Sequence, residues 1–156
     1  MESKLKQPGW NKVAEVELIY QSRIKASEPP QICSLRGAYQ ILIRSGDENK
    51  IEFVEQFKIL FLNKANKVLG IYEVSTGGIS GTVTDPRVIF VAALKTNCCS
   101  LIACHNPPSG NLKPSRQDEE LTRKIKQAVH FLDIKLLDHI IVCNEGYYSF
   151  ADEGVL

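Results

Sequence analysis

The sequence has no excess of either charge, because 19 basic residues are balanced by 18 acidic ones and the formal net charge is +1. The chain therefore lacks the net positive charge that is typical of proteins that bind nucleic acid or an anionic membrane. A local basic face remains as an alternative. It also lacks any run of ~18 continuous apolar residues, so no membrane-spanning helix is predicted. No apolar segment follows the charged residues 1–6, and we expect a soluble, cytoplasmic protein without a secretory signal.

Paired cysteines of the CxxC type are also absent. The five cysteines are odd in number, and two of them, Cys98 and Cys99, are adjacent. This usage is typical of reduced thiols in the cytoplasm, and we interpret most of the cysteines as small buried hydrophobic residues.

What is present suits one globular domain. The chain has 156 residues, of which 44% are hydrophobic and 24% charged, so it can bury a sizeable core. Residues 1–12 are predicted to be a flexible tail and residues 13–156 a single domain.

Hydrophobic periodicity predicts an α/β fold, in which helices flank a mixed sheet. We expect helices after Ser34, from Pro86 with Asp85 as its cap, and from Arg116 with Ser115 as its cap. A helical turn is expected at 49–55 and a Gly/Ser/Thr-rich surface loop at 75–84. The expected strands are 13–20, 56–62, 68–74, 100–105, 135–137, 139–142 and 147–150.

The stretch from His105 to Asp118 is the best candidate for a site. A strand is predicted to end at His105, a Pro/Gly/Ser-rich loop follows, and a helix begins at Ser115. This order brings an imidazole close to a carboxylate in the first turn of a helix, which is an arrangement that can bind a metal. A plain structural alternative stays open, because Ser115 and Asp118 also have the spacing of a helix capping box.

The sequence contains only three histidines. His105 is the strongest ligand candidate because it lies at a strand end beside a loop. His130 is interpreted as a surface residue on a helix. His139, in an apolar strand, is interpreted as a buried histidine with a role in the site as the alternative.

Several ordered motifs resemble the RadC family, whose members carry a JAB/MPN (JAMM) metalloprotease-like domain. The resemblance covers roughly Glu55 to Leu156. Its motifs are His-Asn-x-Pro-Ser-Gly from His105, Pro114-Ser115-Arg116-x-Asp118, Leu137-Asp138-His139-Ile140-Ile141-Val142 and Glu145-Gly146-Tyr147-Tyr148-Ser149-Phe150, with Phe61-Leu62-Asn63 and Asp85-Pro86-Arg87 before them.

The resemblance implies a JAB/MPN-like fold, with a layered architecture similar to that of cytidine deaminases. It implies zinc held by His105 and Asp118, Ser115 as the partner of the oxyanion, and Glu55 as general base. Glu52 and Glu73 remain alternatives for the base. The implied activity is hydrolysis of a peptide or isopeptide substrate by zinc-activated water.

One position departs from the family pattern. Pro107 stands where the family has its second histidine ligand, and a proline ring has no lone pair to donate. With two ligands we expect zinc to be weakly bound or absent. His139 is the better substitute donor, whereas strand alternation turns Cys104 to the opposite face.

Two functions therefore stay open. The first is a zinc metallopeptidase-like hydrolase with weak or lost activity. The second is a non-catalytic interaction module for a protein partner or for DNA, linked to DNA repair or mobile-element processing as the RadC resemblance implies. The sequence itself gives DNA binding little support, since it has neither excess positive charge nor a helix-hairpin-helix signature.

Overall fold

The computed structural model describes residues 17, 19–21, 29–46, 50–78 and 83–156. The tail predicted at 1–12 lies outside these residues. So does most of the strand predicted at 13–20, of which only Glu17, Ile19 and Tyr20 are described, and these three lie in no strand.

Within the described residues the chain forms one mixed sheet with helices on both faces, which confirms the predicted α/β architecture. The helices are α1 (Leu35–Arg44), α2 (Pro86–Thr96) and α3 (Arg116–His130). The strands are β1 (Gln56–Leu62), β2 (Val68–Thr76), β3 (Ser100–His105), β4 (Lys135–Cys143) and β5 (Gly146–Ser149). The strand order is β2-β1-β3-β4-β5, in which β3 and β4 are parallel and the other neighbours antiparallel.

Each helix begins where a side chain satisfies its free backbone amides. Ser34 accepts a hydrogen bond from the amide of Gly37, Asp85 accepts one from Arg87, and Ser115 accepts one from Asp118. The two predicted caps, Asp85 and Ser115, are confirmed, and Ser34 caps the helix that was predicted to follow it. The short polar side chains therefore set the chain positions at which α1, α2 and α3 start.

The central strands β1 and β3 are buried on both faces because separate apolar clusters cover the sheet. On one face, Ile59 and Ala103 pack with Ile125 of α3 and with α2. On the other face, Leu60 and Cys104 pack with α1. Successive side chains of a strand point to opposite faces, so Cys104 and His105 separate as predicted, with His105 on the side of α3.

Two strand boundaries differ from the prediction. β2 continues to Thr76, two residues into the predicted loop, and β4 is one strand through Asp138 rather than two. The carboxylate of Asp138 is fully buried but accepts hydrogen bonds from the Ser149 hydroxyl and from the amides of His139 and Ala151. These partners let an acidic residue occupy a buried strand, where polarity alone had suggested a break.

The helical turn expected at 49–55 is reduced to a turn at 50–53, in which the amides of Phe53 and Val54 both donate to the carbonyl of Lys50. No helix in the described part of the chain combines the length and apolar character needed to cross a membrane.

Candidate functional site

A cleft of about 350 Å³ opens where the end of β3 meets the start of α3. β3 pairs in parallel with β4, and α3 packs on this face of the sheet. Together these contacts bring the end of β3 close to the start of α3. The cleft is lined by Glu55, Phe57, Thr84, His105, Pro107, Pro108, Ser109, Asn111, Lys113, Ser115, Gln117, Asp118 and Leu121. The structure thus places Glu55, His105, Ser115 and Asp118 around one space.

His105 and Asp118 face each other across the floor of this cleft. Nε2 of His105 lies 3.4 Å from Oδ1 of Asp118, and 5% of the histidine side chain is exposed. Burial lowers the pKa of His105, and the nearby Asp118 carboxylate partly opposes that shift. A neutral imidazole next to a carboxylate presents two electron-pair donors to the cleft.

Ser115 and Asp118 also form the capping box that the sequence allowed as the structural alternative. The Ser115 hydroxyl donates to Oδ2 of Asp118 at 2.6 Å and accepts from the Asp118 amide at 3.1 Å. The Ser115 amide donates to the same Oδ2 at 2.7 Å. The cap therefore uses Oδ2 of Asp118 and leaves Oδ1 directed at His105. Asp118 can thus serve in the capping box and as a donor toward the cleft at the same time.

His139 lies directly behind His105. Its Nε2 is 2.9 Å from Nδ1 of His105, and its Nδ1 is 2.6 Å from the hydroxyl of Thr122. The ring is fully buried between Phe57 and Phe150, and this burial, followed by proximity to His105, holds the pKa of His139 well below its usual range. Both ring nitrogens are engaged, so the geometry presents His139 as a support for His105 rather than as a substitute donor in the cleft.

The side-chain donors of the cleft meet part of what a catalytic zinc ion requires. Two donor atoms bound at ~2.1 Å to a tetrahedral ion lie about 3.4 Å apart, which matches the His105–Asp118 spacing. A third protein donor is needed, and Pro107, which lines the cleft, does not offer one. Among the residues that the structure describes, no three His, Cys, Asp or Glu side chains form a group suited to a metal. The side chains therefore fit part of a zinc site but not a complete catalytic one.

The three candidate glutamates are separated by the fold. Glu55 lines the cleft. Glu52 accepts a hydrogen bond from the Asn144 side chain at 2.6 Å, and Glu73 accepts one from Gln56 at 3.0 Å. Only Glu55 of these three lines the cleft with His105.

Sequence reasoning missed two residues that support this cleft. Asn106 is buried, and its side chain donates to the carbonyls of Ile51 and Val54 at 2.7 and 2.8 Å. Thr122 is the second, and its spacing from Ile125 and Val129 along α3 was the available signal, because it puts a polar residue on the buried helix face. Asn106 had no comparable signal, since its partners lie about fifty residues earlier in the chain.

Comparison with known proteins identifies the family of the chain. The family model described as the RadC-like JAB domain matches residues 32–155. A UPF0758 protein of Flavobacterium johnsoniae is 50% identical over 101 residues, covering 65% of this chain and 44% of that protein. UPF0758 proteins of Symbiobacterium thermophilum and Clostridium kluyveri are each 34% identical, covering 85% and 92% of this chain and 57% and 61% of their own lengths.

The chain thus spans about half the length of the curated relatives that it matches. The family match extends from the residue before Cys33 to the residue before Leu156, and so includes every side chain of the cleft described above. This chain belongs to the RadC-like JAB domain family.

Proposed function

We propose that this JAB domain binds a peptide or isopeptide segment in the His105–Asp118 cleft but hydrolyses it weakly or not at all. The observation that carries the proposal is Pro107, which lines the cleft and offers no donor atom. The resemblance of the domain to JAB/MPN proteins implies zinc-dependent hydrolysis, and proline at this position removes one of the three protein ligands on which such chemistry depends.

The remaining side chains are those expected to bind and orient a substrate. The cleft of about 350 Å³ is within the range of sites for small ligands or short chain segments. Its walls carry Lys113 and Gln117 as hydrogen-bond donors beside the acceptors His105 and Asp118. A peptide backbone alternates N–H and C=O groups, so it complements a wall of mixed donors and acceptors.

Glu55 and Ser115 have the residue types of a general base and an oxyanion partner. The Ser115 hydroxyl, however, already donates its proton to Asp118. To stabilise an oxyanion it would first have to leave the capping box. This competition is a second reason to expect slow hydrolysis, and it is independent of the metal.

The decisive experiment is elemental analysis of zinc per chain in the wild type and in Pro107→His. We expect far less than one zinc per wild-type chain and close to one in Pro107→His, because the substitution supplies the third ligand. The double variant His105→Gln/Pro107→His is the matched control and should lose the recovered zinc. One zinc per wild-type chain would overturn the proposal of an incomplete site.

A second candidate function is a non-catalytic interaction module for DNA or a protein, in repair or mobile-element processing. The observation favouring an anionic partner is a groove of about 680 Å³ between α3 and β4, lined by Arg123, Lys126 and Lys135 without an acidic residue. Titration of labelled double-stranded DNA at low salt tests this candidate. Affinity should fall in Arg123→Ala/Lys126→Ala, while no binding by the wild type rules out the DNA version.

A further inference from the structure

We infer that Thr122 and His139 are positioning residues, which hold the proton of His105 on Nδ1 so that its Nε2 presents a lone pair to the cleft. The use of that lone pair in binding rests on the proposed function. The proton arrangement does not, because it follows from three hydrogen bonds in the core.

Thr122 sets the direction of the first hydrogen bond. Its hydroxyl oxygen lies 2.6 Å from the backbone carbonyl oxygen of Asp118, one helical turn earlier. A carbonyl oxygen has no hydrogen, so this short contact is a hydrogen bond only when the single hydroxyl proton of Thr122 is directed at it. Thr122 can then act only as an acceptor toward Nδ1 of His139, which lies 2.6 Å away.

His139 must therefore carry a proton on Nδ1. Its ring is 0% exposed, with the rings of Phe57 and Phe150 centred 5.5 and 4.8 Å away. A second proton would create a buried cation, and neither hydrogen-bond partner of the ring, Thr122 or His105, is an anion. The neutral ring has its lone pair on Nε2, and it accepts the proton that His105 donates from Nδ1 at 2.9 Å.

The distance between His105 and Asp118 agrees with this arrangement. If Nε2 of His105 carried the proton, it would donate to Oδ1 of Asp118, and such charge-assisted bonds are normally about 2.7–2.9 Å long. The observed separation is 3.4 Å. Thr122 and His139 fix the proton of His105 on Nδ1, so Nε2 cannot donate a hydrogen bond to Asp118. Nε2 of His105 and Oδ1 of Asp118 therefore both stay available as acceptors for a bound cation or N–H donor.

The chain of bonds also begins and ends at the same residue. The Asp118 carbonyl accepts the hydrogen bond from the Thr122 hydroxyl. The Asp118 carboxylate faces the imidazole of His105 at the far end of the chain of bonds. The first turn of α3 is thereby connected to the end of β3 by side chains that do not themselves line the cleft.

Nitrogen-15 NMR of the imidazole rings in the full chain tests the inference directly. The chain has three histidines, and His130→Gln identifies the signals of the exposed one. Both remaining rings should show a protonated Nδ1 and an unprotonated Nε2 at neutral pH. Protonated Nε2 on both rings would overturn the inference, whatever the protein binds.

Thr122→Val and Thr122→Ser form the matched pair. Valine keeps the shape but removes the acceptor for His139, so both rings should shift toward the tautomer protonated on Nε2, whereas serine should keep the wild-type pattern. A folded Thr122→Val variant with unchanged tautomers would contradict the inference. If the valine variant does not fold, the wild-type spectrum still decides.

Zinc affinity in the Pro107→His background gives a second readout. There Thr122→Val should weaken zinc binding roughly 10- to 100-fold, and Thr122→Ser much less, since a fixed tautomer aids ligation. Equal affinities in the two variants would contradict the positioning role. Absence of zinc from Pro107→His itself would count against the proposed function, while the NMR result would still decide the proton arrangement.

Discussion

The side chain of Asn106 is hydrogen-bonded to the backbone at the start of β1, where its Oδ1 accepts from the amide of Gln56 at 3.0 Å. Its Nδ2 donates to the carbonyls of Ile51 and Val54. Because Asn106 follows His105 directly, one buried amide connects the end of β3 to the segment that carries Glu55. The width of the cleft between Glu55 and His105 therefore depends on Asn106.

Asn106→Ala should lower the free energy of unfolding by roughly 2–4 kcal/mol, because three hydrogen bonds are lost and their backbone partners stay partly buried. Urea denaturation measures the change. Asn111→Ala is the matched control, since Asn111 is exposed and its side chain accepts a local hydrogen bond from the Lys113 amide. A comparable loss in both variants would argue against a special role for Asn106.

Ser115→Ala should destabilise the protein by about 1 kcal/mol, because it removes the cap of α3 and half of the capping box. Ser115→Thr keeps a hydroxyl and should retain most of that stability. Thermal unfolding of the two variants makes the comparison. If alanine and threonine are equally harmless, the capping box contributes nothing to the start of α3.

The stability of the protein should fall as the pH is lowered from 7.5 to 5.5. Burial holds the pKa of His139 well below the ordinary value of about 6.5, so the unfolded chain takes up more protons in this range than the native one. Stability then rises with pH, at a slope approaching about 1.4 kcal/mol per pH unit for one such group. His105, whose pKa is also lowered by burial, adds to the effect.

The control for this prediction is a comparison of slopes. Urea unfolding at the two pH values should show a flatter dependence in His139→Gln than in the wild type, and an unchanged one in His130→Gln. Differences between variants cancel the contributions of other groups, such as Asp138. A slope that survives in His139→Gln would show that His139 is not its main source.

Cys104 should resist alkylation in the native protein. Burial raises the pKa of its thiol to about 12, so almost no thiolate exists at pH 8. Cys33 and Cys99 are exposed and should react first with iodoacetamide, as read by mass spectrometry of peptides. Labelling of native Cys104 at the rate of Cys99 would contradict its placement in the core behind α1.

Much of the fold could be predicted from the sequence because the patterns that indicate strands and helix starts involve neighbouring residues. The periodicity of 56–62 and the cap at Ser115 depend on neighbouring residues, and both predictions are confirmed. The continuity of β4 was not readable, because Asp138 is satisfied by Ser149 and Ala151, which lie beyond the next turn. Polar residues buried with distant partners look like strand breaks when the sequence is considered alone.

The family, the helix starts and the donors of the motif follow from the residues alone: one histidine, one aspartate and a proline at the position between them. Chemical identity does not depend on folding, so position 107 is known to offer no side-chain ligand before any coordinate is known. The tertiary structure alone decided that Glu55, and neither Glu52 nor Glu73, lines the cleft. It also decided that His139 supports His105 from behind, because hydrogen-bond direction depends on distances between atoms far apart in the chain.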